Sequence, residues 1–171
     1  MSLAIKYIIW FVGLLLLQVF VLNNLHLGGY MNPFVYVLIV LSLPFNVSGW
    51  LLLGCSFVAG YIVDLFMNTP GMHAAATVFM GFLRPWVLRW YYPHTEFVSG
   101  EYPNLREMGI SSFFGYTLTL VFIHHLSLFT LELMSFRNFH LTLLRTLLST
   151  GFSLLVIFIA CSIFQSRTKQ S

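Results

Sequence analysis

Residues 5–25 form an apolar run of roughly twenty residues, with Lys6 at its start as the only charge. That is the length a helix needs to cross the hydrocarbon core of a bilayer, about 30 Å at 1.5 Å per residue. Runs of this kind recur to the end of the chain. Composition excludes the alternative of a soluble fold with unusually long core helices. Of 171 residues, 58% are hydrophobic and 8% charged, and the mean hydropathy is +0.87. A soluble domain carries about a quarter of its residues as Asp, Glu, Lys or Arg. The 13 charges here, 8 basic and 5 acidic, cannot build a water-facing surface. Most of the surface must face hydrocarbon, with 18 Phe suited to lipid and 4 Trp and 8 Tyr suited to its interfaces.

The apolar pattern predicts an all-α integral membrane protein, a six-helix transmembrane bundle in one domain over residues 1–171, with helices at roughly 5–25, 31–46, 50–67, 71–90, 110–134 and 140–164. The second run is the shortest and spans only by including Tyr30 and Met31 and passing Pro44. Asn23, Asn24, His26, Gly28 and Gly29 make a polar turn before it. In the break Asn68-Thr69-Pro70-Gly71, Thr69 is placed to cap the following helix, with Pro70 at its first position. Residues 91–109, with His94, Glu96, Glu101, Arg106 and Glu107, form the one substantial polar connection. The N-terminal run has no small-x-small cleavage site and reads as an uncleaved first helix.

Six spans put both termini on one side, together with Lys6, Arg89, Arg106, Arg167 and Lys169. The other side receives Arg137. The positive-inside rule makes the termini cytoplasmic. A net charge of +3 without a basic cluster gives no reason to expect nucleic acid.

Ionisable groups inside apolar spans are costly and are the first candidates for function. Here they are Asp64, Arg84, Glu132, Arg145 and the pair His124-His125. Asp64 lies four residues before the outer turn, about 6 Å deep, and Arg145 lies at similar depth. These two either neutralise each other and orient helices or shape a polar site opening outward. Arg84 is expected to snorkel towards cytoplasmic headgroups, and Glu132 to sit close enough to the interface to be solvated. Gly60 stands one turn from Asp64, and Ala74, Thr77 and Gly81 share the face of Arg84. Such small residues let helix backbones approach, here the third and fourth helices.

Catalytic patterns are lacking. His124 and His125 point about 100° apart on a helix and do not chelate together, and His73 stands alone near a helix end. There is no HExxH, and a single aspartate excludes an aspartyl dyad. Cys55 and Cys161 lie in apolar runs without metal-ligand spacing and read as packing residues. No catalytic residue, cofactor site or metal site is expected.

The run Gly60-x-x-x-Asp64-x-Phe66, the turn Asn68-Thr69-Pro70-Gly71-Met72-His73-Ala74-Ala75-Ala76 and the element Phe82-Leu83-Arg84-Pro85 resemble the central region of the rod shape-determining MreD family, Bacteroidetes type. Asn23-Asn24-Leu25-His26-x-x-Gly29-Tyr30-x-x-Pro33-Phe34 is similar to the same family. The resemblance is residue-specific over residues 23–85 and extends to the rest in hydropathy layout. It implies a non-catalytic scaffold of lateral cell-wall elongation in the bacterial inner membrane. Implied partners are MreC, the MreB filament, a RodA-type glycosyltransferase and a monofunctional transpeptidase, besides membrane lipid. Asp64, Pro70, Gly71 and Arg84 carry over as motif positions. The family is also similar in fold to the six-helix substrate-binding subunits of energy-coupling-factor transporters. A vitamin-like solute-binding subunit with an outward cavity is therefore the competing expectation.

Overall fold

The computed structural model describes residues 3–24, 31–93, 101–133 and 139–167, with side chains for 9–24, 31–93, 101–133 and 139–161. His26, Gly28, Gly29, Tyr30, His94, Glu96, Arg137 and Lys169 lie outside the described residues. The architecture is all-helical. Helix α1 (Leu3–Leu16) continues through a π-helical turn, Leu17–Val21, and a 3-10 turn, Leu22–Asn24. The single-turn helix α2 (Leu38–Leu41) precedes the long helices α3 (Gly49–Met67) and α4 (Met72–Tyr91). A one-turn α5 (Leu105–Met108) leads into α6 (Ile110–Leu133), and α7 (Phe139–Arg167) ends the fold. Helix α4 packs against both α3 and α6, and α6 against α7. Three helices, α3, α6 and α7 through Cys161, are long and apolar enough to cross a membrane.

The stretch expected as the second helix, 31–46, is not one. Its first residues are irregular, and only the turn of α2 is helical. Local chemistry explains this. Pro33 supplies no amide proton, Pro44 disfavours the α conformation in the residue before it, and Val35, Val37, Ile39 and Val40 are β-branched. The segment threads through the middle of the molecule, with residues 33–41 all buried. One end lies beside Ser149 and Ser153 of α7. The other lies beside Arg84 of α4, with Phe45 stacked on Tyr92 at 5.4 Å and its amide bonded to the Glu101 carbonyl.

Helices α3 and α4 form a tight hairpin. Asn68 ends α3 in the left-handed region (φ 55°), which Asn tolerates better than most residues, and Gly71 follows at φ 79°. Helix α4 starts at Met72, so Pro70 stands outside it and not at its first position. The hairpin closes at Gly60, where a Cβ would stand 2.6 Å from both the Ala74 Cα and the His73 carbonyl oxygen. One helical period further along, Gly81 makes room for the Ser56 side chain. Because the obstruction at Gly60 is backbone, it cannot turn aside.

Gly60→Ala is expected to destabilise the protein by roughly 1–3 kcal/mol, the cost of overpacking a tight contact. Gly54→Ala, on the same helix with nothing within 4 Å, should be close to neutral. Unfolding in mixed detergent micelles measures both.

Candidate functional site: a buried polar seam

An irregular backbone deep in a membrane protein leaves amide and carbonyl groups that lipid cannot satisfy, so protein must do so. The surrounding helices supply these partners from side chains. On α7, Ser149 accepts from Asn32 N–H at 3.0 Å and Ser153 from Phe34 N–H at 2.9 Å. The match is geometric: two extended residues advance about 6.6 Å, and one helical turn advances about 5.4 Å. Pro33 between them needs no acceptor. From the π turn, the Gln18 side-chain oxygen accepts from Val35 N–H at 2.7 Å and Tyr36 N–H at 3.3 Å. Its amide donates to the Pro33 carbonyl at 3.0 Å and to Asn23 Oδ1 at 2.8 Å. Gln18 therefore does for residues 33–36 what a neighbouring strand would do.

At the far end of the segment, Arg84 is fully buried and does not snorkel, contrary to the sequence expectation. Its Nη2 donates to the Leu43 and Pro44 carbonyls and its Nε to the Tyr116 hydroxyl at 2.9 Å. Tyr116 donates in turn to the Leu41 carbonyl at 3.0 Å. The last carbonyl of α2 thus receives a phenol, and two carbonyls of the irregular stretch after it receive a cation.

Between these ends lies a cluster around Tyr36. Its hydroxyl stands 2.8 Å from Thr77 Oγ1, 2.8 Å from His124 Nε2 and 3.2 Å from His73 Nδ1. Thr77 already donates its proton to the His73 carbonyl at 2.7 Å. One phenol proton therefore serves three neighbours, and at least one imidazole N–H must donate to the phenol oxygen. The outer nitrogens, His73 Nε2 and His124 Nδ1, are buried without a hydrogen-bond partner. His125 is arranged differently. Its Nδ1 lies 2.8 Å from the Val121 carbonyl and must carry the proton, so Nε2 accepts from the Ser153 hydroxyl at 3.2 Å. The rings of Phe34 and His73 meet edge to face at 4.8 Å and fill the space beside them.

Asp64 and Arg145, matched in depth by the sequence reading, do not pair. Asp64 Oδ1 accepts from His73 N–H at 3.0 Å and from the Thr69 hydroxyl at 2.7 Å, and Oδ2 accepts from Ala74 N–H at 2.9 Å. The carboxylate of one helix caps the next, a role the sequence assigned to Thr69. An anion at a helix N-terminus satisfies its free amides and its dipole together. Asp64 also lines a cavity of about 480 Å³ at the hairpin turn with Tyr61, Leu65, Asn68, Thr69, Pro70 and Gly71. Arg145 instead meets Glu132 at 3.1 Å, both partly exposed, and lies over the Phe129 ring at 4.5 Å. Glu132 thus has Arg145 as a charge partner and keeps part of its side chain exposed.

Gln18, Tyr36, Ser149 and Ser153 were missed by reading charges alone. A signal existed: Thr142, Thr146, Ser149, Thr150 and Ser153 recur at helical spacing on α7 and are all buried. His73, Thr77 and Arg84 likewise fall on one face of α4. Cys55 is partly exposed and Cys161 buried, both as free thiols. Among the described residues no group of three or more His, Cys, Asp or Glu is placed to hold a metal ion.

Gln18→Leu keeps the volume and strands two amides and a carbonyl, so a loss of roughly 3–9 kcal/mol is expected at about 1–3 kcal/mol per unsatisfied group. Asp64→Ala should cost about 2–3 kcal/mol through loss of the cap, and Asp64→Asn less, because one acceptor oxygen survives. Detergent unfolding checks the order Asn before Ala.

Comparison of the chain with family models, with curated proteins and with solved structures finds no match.

Proposed function

We propose that the chain is a non-catalytic scaffold of the MreD type in the bacterial inner membrane, acting in lateral wall synthesis. The observation that carries this reading is the division of its surface. The buried polar groups are mainly spent on the protein's own backbone and on one another, while bulky apolar side chains face outward. Phe57, Leu65 and Phe66 on α3, Phe82 and Trp86 on α4, and Leu155 on α7 are all more than half exposed. Such faces offer packing surface to transmembrane helices of other proteins, where close fit drives association. The Gly60–Pro85 resemblance supplies the identity of those partners: an MreC-like protein, a RodA-type glycosyltransferase with its transpeptidase, and an MreB-like filament at the cytoplasmic loop and tail.

In this reading the 31–45 segment counts as a crossing, and α1, the segment, α3, α4, α6 and α7 alternate in direction. Six crossings with the basic residues named above place both termini in the cytoplasm. The solute-binding alternative has the Asp64 cavity at the hairpin turn in its favour, but the centre of the bundle is filled by Phe34, Tyr36 and Phe129, all buried.

Purification of the natively expressed protein in mild detergent is expected to recover an MreC-like protein or a wall synthase. Recovery of neither, or a stabilising vitamin in a thermal-shift screen, would replace this reading with the alternative.

A further inference from the structure

The Tyr36 cluster is richer in chemistry than a scaffold requires, and its geometry has a direction. A phenol bridges two imidazoles through His73 Nδ1 and His124 Nε2, and the other nitrogen of each ring has no hydrogen-bond partner among the described residues. The two unpartnered atoms are thus the two ends of one hydrogen-bonded chain. Both histidines and the tyrosine are 0% exposed. Ionisable side chains linked in this way inside a membrane are how protons cross low-dielectric regions.

We propose that His73, Tyr36 and His124 form a proton wire through the middle of the bundle, an activity separate from the scaffold reading and independent of it. With both rings neutral and protonated at Nδ1, the phenol hydrogen points to His124 Nε2. A proton binds His73 Nε2, the Nδ1 proton passes to the Tyr36 oxygen, the phenol proton passes to His124 Nε2, and His124 Nδ1 releases its own. One proton enters and one leaves, and the phenol stays neutral. Each ring is left as the other tautomer; a turn that brings His73 Nε2–H and the bare His124 Nδ1 to face the phenol, with the phenol O–H turned to His124, resets the polarity of the chain. With the phenol hydrogen on His124, the Thr77 hydroxyl, 2.8 Å away, holds the phenol by turning from the His73 carbonyl to donate to the phenol oxygen.

Other polar groups stand around the cluster. Asp64 of α3 borders the cavity at the hairpin turn and accepts the backbone amide of His73. From α6, His125 stands beside His124 with ring centres 5.4 Å apart, its own nitrogens engaged by Val121 and Ser153 of α7. Thr117, two turns from His124 on α6, is buried with an unpartnered hydroxyl, and Tyr116 and Arg84 lie at that level.

The test is proton flux into proteoliposomes containing the full chain and a trapped pH dye, driven by a potassium diffusion potential. Flux above that of protein-free vesicles is expected, falling to the protein-free rate in Tyr36→Phe, which keeps the ring and removes the bridging oxygen. Gly54→Ala, on α3 where a Cβ meets nothing within 4 Å, should leave it unchanged. Wild-type flux equal to that of protein-free vesicles overturns the proposal, as does undiminished flux in folded Tyr36→Phe. Should Tyr36→Phe fail to fold, His124→Gln takes its place: it keeps a hydrogen-bonding group but cannot relay a proton, and undiminished flux there overturns the proposal equally.

Discussion

Satisfying an irregular peptide backbone inside the bundle is the requirement on which the rest of the molecule depends. A helix carries its own hydrogen bonds, whereas residues 31–36 do not, and each unmet group in an apolar setting costs several kcal/mol. The surrounding helices are shaped by that need. The π turn in α1 is where Gln18 grips residues 33–36. The hydroxyl stripe of α7 faces the segment at a spacing that fits alternate amides. Arg84, an expensive residue to bury, is justified by the carbonyls it meets.

The α3–α4 hairpin solves a different problem with similar means. Gly60 lets two backbones touch, and Asp64, one turn on, caps the helix that this contact brings near. Close approach and capping reinforce each other: without the glycine, the carboxylate would not reach the amides of His73 and Ala74. Tyr36 then joins the hairpin to α6 through the polar groups of His73, Thr77 and His124, so segment, hairpin and α6 share one hydrogen-bonded centre.

Much of this was legible in the sequence and some was not, for physical reasons. Long apolar runs read directly, because a helix in lipid needs only length and hydrophobicity. The Gly60–Ala74 contact was visible as small residues at helical spacing on adjacent helices. The run 31–46 failed because apolarity marks burial and not conformation; Pro33, Pro44 and the β-branched residues were the better guide. Asp64 and Arg145 were matched by depth, yet depth fixes one coordinate of three, and backbone amides nearer to Asp64 took the carboxylate. Uncharged groups were the larger omission. Gln18, Ser149 and Ser153 carry no charge to draw attention, although they hold the most demanding segment.

The partnership between the segment and α7 has a consequence for biogenesis. Asn32 and Ser149 are 117 residues apart in the chain, and Phe34 and Ser153 are 119 apart. A ribosome delivers the second stretch long before the last helix that completes its bonding. Until α7 arrives, those amides need a substitute, and lipid offers none. In the six-crossing reading the Asn32 and Phe34 amides must therefore meet water or the insertion machinery's own polar wall through the synthesis of three long helices. The last helix to enter is the one that lets the second stretch leave.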